Sequence, residues 1–169
     1  MSIFYPKKFV ESIYELNPGF FKEKGFKGVV LDIDDTLVEH GELLVPGHLF
    51  DYVKELKALG LKMAAVSNNK QRRVKPFCLS LGIPFYCFSV KPMKRGYKRA
   101  IREMGLAPSE VCTIGDQLFT DVLGGNRMGL YTILVKPLSN RKGITLSVKR
   151  YFEKKVLKKY FKNNEEKNS

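Results

Sequence analysis

Four short stretches carry the side chains that could do chemistry. The first, Asp32-Ile33-Asp34-Asp35-Thr36, packs carboxylates and a hydroxyl into one turn of chain. Ser67-Asn68-Asn69 offers a hydroxyl and two carboxamides, Lys91-Pro92 a cation, and Gly115-Asp116 a further acid, with Asp121 shortly after. Taken singly, Asp, Ser and Asn ahead of a helix are good caps. As a set they resist that reading, because Asp32, Asp34 and Asp116 at one edge would repel one another. Clustered carboxylates need a cation, and oxygen ligands suit Mg²⁺. Mg²⁺ commonly bridges a carboxylate and a substrate phosphate, and phosphoryl transfer depends on charge neutralisation and positioning. A carboxylate can be the nucleophile, forming an acyl phosphate that water hydrolyses. A second carboxylate protonates the leaving oxygen and later deprotonates the water. Asp32 and Asp34, two residues apart, lie on one side of an extended segment, and Ser67 and Lys91 would bind the phosphoryl oxygens.

These stretches have to be brought together, and the hydropathy pattern shows how. Phe26 to Asp32, Leu61 to Val66, Phe85 to Val90, Val111 to Ile114 and Tyr131 to Val135 read as strands. Between them, helices are expected from Pro46 to Gly60, within Lys70 to Leu81 (where Pro76 would shorten or kink it), from Arg95 to Met104, and from Leu118 to Met128 despite Gly124-Gly125. An amphipathic helix over about 6–16 precedes the first strand, ended by Asn17-Pro18-Gly19, and a basic helix over about 146–161 follows the last, with a frayed end. Alternating strands and helices give an α/β fold: a three-layer domain over residues 1–169 around a parallel sheet of about five strands. Ligands of such sheets bind beyond the carboxyl ends of the strands, where all four stretches lie.

In order, the four stretches resemble the motifs of haloacid dehalogenase (HAD) phosphatases. More narrowly, the run from Gly115 to Leu138 is similar to the YqeG group of class IIIA, and the likeness extends from about Tyr5 to Leu138. The resemblance implies an HAD-like Rossmannoid fold and a role for each residue. Asp32 would be nucleophile and Mg²⁺ ligand. Asp34 would be general acid and base, giving its backbone carbonyl to the metal, and Asp116 would bind the metal. Lys91 would neutralise the phosphoryl-enzyme, with Lys94 a lesser candidate. Ser67 would hydrogen-bond the phosphoryl group, with Asn68 beside it, and Thr36 would steady the turn at the substrate end. Asp121 would act at one remove, or through water, with Arg127 as its support. Asp35, facing away, is read as structural. His40 and His48 read as solvated loop residues, and Gly124-Gly125-Asn126-Arg127 as a tight turn, not a phosphate loop.

Composition narrows the rest. A hydrophobic fraction of 44% with 28% charged residues is that of a globular protein with a core. Cys78, Cys87 and Cys112 form no CxxC pair, and none has an Arg six residues on, which argues against a disulfide frame, a zinc site and cysteine-based phosphatase chemistry. No apolar run is long enough to span a bilayer, and Lys7 and Lys8 interrupt the early apolar residues, so a cytoplasmic location is expected. The net charge of +13 favours anionic partners: a phosphorylated substrate, acidic lipid, nucleic acid or a ribosome. Neither gap between motifs has room for a cap domain, so the site is open to a large or membrane-displayed phosphate. Mitochondrial and plastid relatives within the resemblance are phosphatidylglycerophosphate phosphatases, acting in phospholipid biosynthesis. The C-terminal helix sets Val148, Phe152, Val156 and Tyr160 beside a basic face, which suits either an anionic membrane or packing on the sheet. The rival readings are a phosphatase of nucleotides or nucleic-acid ends, a basic RNA-associated protein, and a receiver-like binding module. A receiver, however, carries its phosphorylated Asp on strand three, where Lys91 stands here.

Overall fold

The computed structural model describes residues 2–139 and 144–168. Its centre is a six-stranded sheet in which every paired neighbour is parallel: β1 (Lys8–Val10), β2 (Gly28–Leu31), β3 (Lys62–Val66), β4 (Phe85–Tyr86), β5 (Val111–Gly115) and β6 (Tyr131–Val135), in the order β1-β6-β5-β2-β3-β4. The helices are α1 (Pro18–Glu23), α2 (Gly47–Ala58), α3 (Gln71–Leu81), α4 (Lys94–Met104), α5 (Leu123–Arg127) and α6 (Ile144–Asn168).

Alternation along each strand builds the three layers. Val29 and Leu31 of β2, with Met63, Ala65, Cys112 and Ile114, face a core closed by Leu49, Val53 and Leu56 of α2 and Val74 and Phe77 of α3. Val30, Ala64 and Val66 face the opposite way, against Tyr97, Ala100, Ile101 and Met104 of α4. Both faces are covered, which is why these strands read as continuous apolar runs. From β2 the chain winds outward through β3 to β4, then crosses back to place β5 and β6 on the other side of β2. The direction of winding therefore reverses between β2 and β5, and their carboxyl ends diverge there. Leu31 pairs with both Ala65 and Ile114, so Asp32, Ser67 and Asp116 emerge together at that edge.

The N-terminal helix expected over 6–16 is not formed. Lys8–Val10 adds a sixth, edge strand to β6, held by Lys7 N to Thr132 O (2.9 Å) and Lys136 N to Val10 O (3.1 Å). Pairing with a sheet edge overrides a helical period over so few residues. Ser12 and Glu15 then close a capping box around a single 3₁₀ turn, Ile13–Glu15. Asn17 starts a helix where a stop was expected: its side chain accepts from Phe20 N at 3.0 Å, with Pro18 in the first helical position. The strand expected to reach Val90 stops at Tyr86, because Phe88 and Val90 turn into the left-handed region at φ 47° and 49°. Helix α3 runs through Pro76, and α6 continues to Asn168, past its expected end.

The segment from Leu118 opens as a wide π turn, Leu118–Val122, and only then becomes α5. Gly124 and Gly125 lie inside that helix, where Tyr97 packs against the first and Thr113 and Thr132 against the second. On α6, Val156 and Leu157 pack with Phe9 against Leu118, Val122 and Leu134, and Tyr160 is buried. Phe152 is exposed, and the side chain of Val148 lies outside the described residues. No cap domain lies between β2 and β3 or between β3 and β4, where α2 and α3 with their loops are the whole connection.

Candidate active site

Beyond the carboxyl ends of β2, β3 and β5 lies a small polar pocket of about 180 Å³. Asp32, Asp34, His40, Ser67, Asn68, Asn69, Lys91, Gln117, Thr120 and Asp121 form its walls. Asp32 follows β2 directly, its backbone N–H donating to Ile114 O at 2.9 Å, which continues the ladder to β5 and fixes the carboxylate at the pocket floor. Lys91 Nζ donates to Asp32 Oδ1 at 2.5 Å and to Asp121 Oδ1 at 2.7 Å, and all three side chains are buried.

Carboxylate oxygens of Asp32, Asp116 and Asp121 come within 4.8 Å of one another. Three carboxylates share one ammonium, leaving two negative charges without a counterion. Burial, followed by Asp121 and Asp34, pushes the Asp32 carboxyl up to about 6 although Lys91 pulls the other way. Asp116 is pushed well up by burial and by Asp32 and Asp121. Burial would lower the Lys91 ammonium, but Asp121 and Asp32 outweigh it and keep the group charged. Asp116 Oδ1 is buried with no hydrogen-bond partner. An orphaned oxygen in an all-carboxylate cluster short of two positive charges fits a hard divalent cation.

Asp34 stands apart from this cluster. Its Oδ2 accepts from Asn69 Nδ2 at 2.5 Å, and its Oδ1 from Arg73 Nη2 at 2.9 Å and Nε at 3.2 Å, with His40 Nδ1 3.5 Å away. Asn69 was expected at this edge only as part of the Ser67-Asn68-Asn69 stretch, with no role of its own, and Arg73 was not expected at the site. Arg73 lies in the first turn of α3, immediately beyond a strand end, and that placement is the signal that could have found it. His40, expected to be solvated, lines the pocket; His48, an exposed residue, sits edge-on to Tyr14.

The remaining expected residues divide. Ser67 is buried on the pocket wall, its Oγ accepting from Asn69 N at 3.1 Å. Asn68 reaches the pocket, but its carboxamide clamps the backbone of Lys91, accepting from Lys91 N at 2.6 Å and donating to Lys91 O at 3.3 Å. Its side chain thus positions Lys91 rather than pointing a free amide at substrate. Thr36 is not on the pocket wall; it is buried behind Asp32, with Oγ1 3.4 Å from Asp32 Oδ2. Asp121 belongs to the acidic cluster itself and pairs directly with Lys91, a closer part than the remote one expected, and Arg127 instead lines a basic groove along α4. Gly115 makes this possible, since a side chain there would occupy the space of the Asp121 carboxylate. Asp35 is fully buried at φ 63° and binds Ser139 Oγ, a structural part. Lys94 is exposed on α4. Cys78 and Cys112 are buried and Cys87 half-buried, and burial raises the Cys78 thiol to about 12, far from a nucleophile.

Comparison with known proteins bears on this geometry. The family model for haloacid dehalogenase-like hydrolases matches residues 39–129. The chain is 43% identical over 154 residues to the probable phosphatase YqeG of Bacillus subtilis (strain 168), covering 91% of this chain and 90% of that protein. The chain belongs to the haloacid dehalogenase-like hydrolases. Within this HAD family it is an enzyme of the phosphatase kind, of the YqeG group. It is also 33% identical over 127 residues to phosphatidylglycerophosphate phosphatase 1, chloroplastic/mitochondrial, of Arabidopsis thaliana, spanning 70% of this chain but 36% of that longer protein. Among solved structures, a HAD-superfamily hydrolase from Ehrlichia chaffeensis shares the fold at a TM-score of 0.57 and 14% identity, over 66% of this chain and 91% of that one.

Proposed function

We propose that this HAD phosphatase hydrolyses phosphomonoesters through an aspartyl-phosphate on Asp32, with Mg²⁺ as its cation, and that its substrate is phosphatidylglycerophosphate. The observation that carries the mechanism is the buried Asp32 at the pocket floor, bonded to Lys91 and facing an acidic cluster two positive charges short. In the first step an Asp32 oxygen attacks phosphorus in line, and the bond to the ester oxygen breaks. The departing oxygen takes its electron pair and the proton of Asp34. In the second step Asp34 accepts a proton from water, the water oxygen bonds to phosphorus, and the acyl-phosphate bond breaks to return the Asp32 carboxylate. Lys91 offsets negative charge on the transferring group, and Ser67 Oγ–H donates to a phosphoryl oxygen. Asn69 and Arg73 orient Asp34. Asp32, Asp116 and Asp121, with the backbone carbonyl of Asp34, would hold Mg²⁺, which supplies charge neutralisation at the phosphoryl oxygens.

The lipid substrate is supported by the likeness to the Arabidopsis enzyme, by the uncapped pocket and by the positive charge of the chain. Among the described residues no helix is long and apolar enough to cross a membrane, so a lipid phosphate would be met from the aqueous side. The test is a substrate panel with and without Mg²⁺: the lipid in mixed micelles, glycerol phosphates, and 3′- and 5′-phosphorylated oligonucleotides. The lipid should be turned over fastest, only with Mg²⁺, and not by Asp32→Asn. Undiminished turnover by that variant would end the mechanism; preference for an oligonucleotide would end the substrate assignment.

A further inference from the structure

Two loops frame the mouth of the pocket, and both hold apolar side chains out to solvent. In the loop after β2, Leu43 and Leu44 are 60% and 77% exposed; between β4 and α4, Phe88, Val90 and Met93 are 61%, 60% and 58% exposed. Each loop borders the site. His40 of the first lines the pocket and shares an adjoining groove with Leu43, Lys70 and Arg72. Lys91 of the second lies in the pocket, between Val90 and Met93. Asn69 joins them, accepting Phe88 N on its backbone carbonyl at 3.2 Å.

The backbone makes this exposure notable. Phe88 and Val90 occupy the left-handed region, which is strained for any residue with a Cβ and most of all for a β-branched one. Glycine or asparagine would relieve a loop whose task was only to connect β4 with α4. Bulky apolar groups kept there, unburied, point to a use outside the folded chain.

Charge indicates the partner. Lys70 and Arg72 flank the first loop, and Lys94, Arg95 and Lys98 continue from Met93 along the exposed side of α4. Among the described residues none of these five forms an ion pair. Glu39 and Glu42 are the opposing charges in the first loop, two acids against the five cations, and the exposed Glu42 accepts from the Leu44 amide at 3.1 Å. Nucleic acid would reward the cations and Phe88 but gains little from Leu43, Leu44, Val90 and Met93. A bilayer interface takes both kinds of group, apolar tips at headgroup depth and cations on anionic lipid.

We infer that this rim, rather than α6, seats the enzyme on an anionic lipid bilayer with the pocket facing the phosphates of that surface. The inference rests on the lipid-phosphatase reading above and adds the surface that delivers the substrate. Helix α6 has turned Val156, Leu157 and Tyr160 onto the body of the protein, leaving Tyr151, Phe152 and, at 40%, Phe161 exposed.

The experiment is flotation with vesicles that contain no phosphomonoester: phosphatidylcholine alone, and phosphatidylcholine with a third phosphatidylglycerol. The full chain should float with the anionic vesicles only. Leu43→Ser/Leu44→Ser and Phe88→Asn should each weaken binding about tenfold or more while hydrolysis of p-nitrophenyl phosphate is unchanged. Tyr151→Ser/Phe152→Ser should bind as the wild type does. Absence of wild-type binding, rim variants that float normally, or loss confined to the α6 variant would overturn the inference, as would salt-sensitive RNA binding in place of vesicle binding. A wild type that floats by its rim yet leaves phosphatidylglycerophosphate intact in micelles would remove the substrate reading and keep the docking surface.

Discussion

Asp32 is a nucleophile candidate because of what surrounds it, and its neighbours also set its acidity. Its carboxyl, ordinarily near 3.8, is raised to about 6 by burial and by Asp121 and Asp34, against the pull of Lys91. The folded chain therefore binds this proton more tightly than the unfolded chain does. The stability that the protonated group contributes is complete below its ordinary value and is lost as pH rises through about 6, with Asp116 shifted in the same direction. The metal-free protein should thus lose stability across that window. A divalent cation relieves the same repulsion, so thermal melts should show a larger stabilisation by Mg²⁺ above pH 6 than below pH 4. A larger shift on the acid side would mean that the cation does not bind at these carboxylates.

At the scale of elements, the site depends on how closely the π turn approaches β5. Gly115 ends that strand, and the Asp121 side chain fills the space a Cβ would take. Gly115→Ala should push Asp121 away from Lys91, costing about 2 kcal/mol through overpacking and lowering affinity for a divalent cation. Calorimetric titration beside a chemical melt would measure both effects. Gly129→Ala, at a φ of 74° with open space around it, controls for backbone strain: it should lower stability without touching cation affinity. The turn is also tied from the far side, where the buried Glu153 of α6 accepts from Leu118 N at 2.9 Å and Lys149 Nζ bonds Gln117 Oε1. Helix α6 is therefore part of the support of the active site, which its basic, amphipathic sequence did not reveal.

At the scale of the molecule, 30 basic and 17 acidic side chains give the chain a net charge of +13. Self-repulsion of that size destabilises the folded state at low ionic strength and is screened by salt. Added NaCl should raise the melting temperature of the metal-free protein over the dilute range, whereas the same salt should weaken vesicle binding. A melting temperature insensitive to salt would show that the cations are paired or far enough apart to be neutral in effect.

The sequence by itself determined the strands and the order in which Asp32, Ser67, Lys91 and Asp116 reach one sheet edge, because the apolar runs and the polar residues that end them are local signals. It also determined the absence of a cap, since the spacing between motifs leaves no length for one. It misread residues 6–16 as a helix, where Lys8–Val10 form an edge strand whose partner lies more than a hundred positions away. Only the tertiary structure decided that Arg73 and Asn69 hold Asp34, that Asp121 joins the acidic cluster, and that Asn68 serves Lys91. Those are contacts between elements distant along the chain, and no periodicity records them. It also decided that Val156, Leu157 and Tyr160 of the C-terminal helix are covered by the body of the protein, because which face of an amphipathic helix is covered depends on what lies beside it.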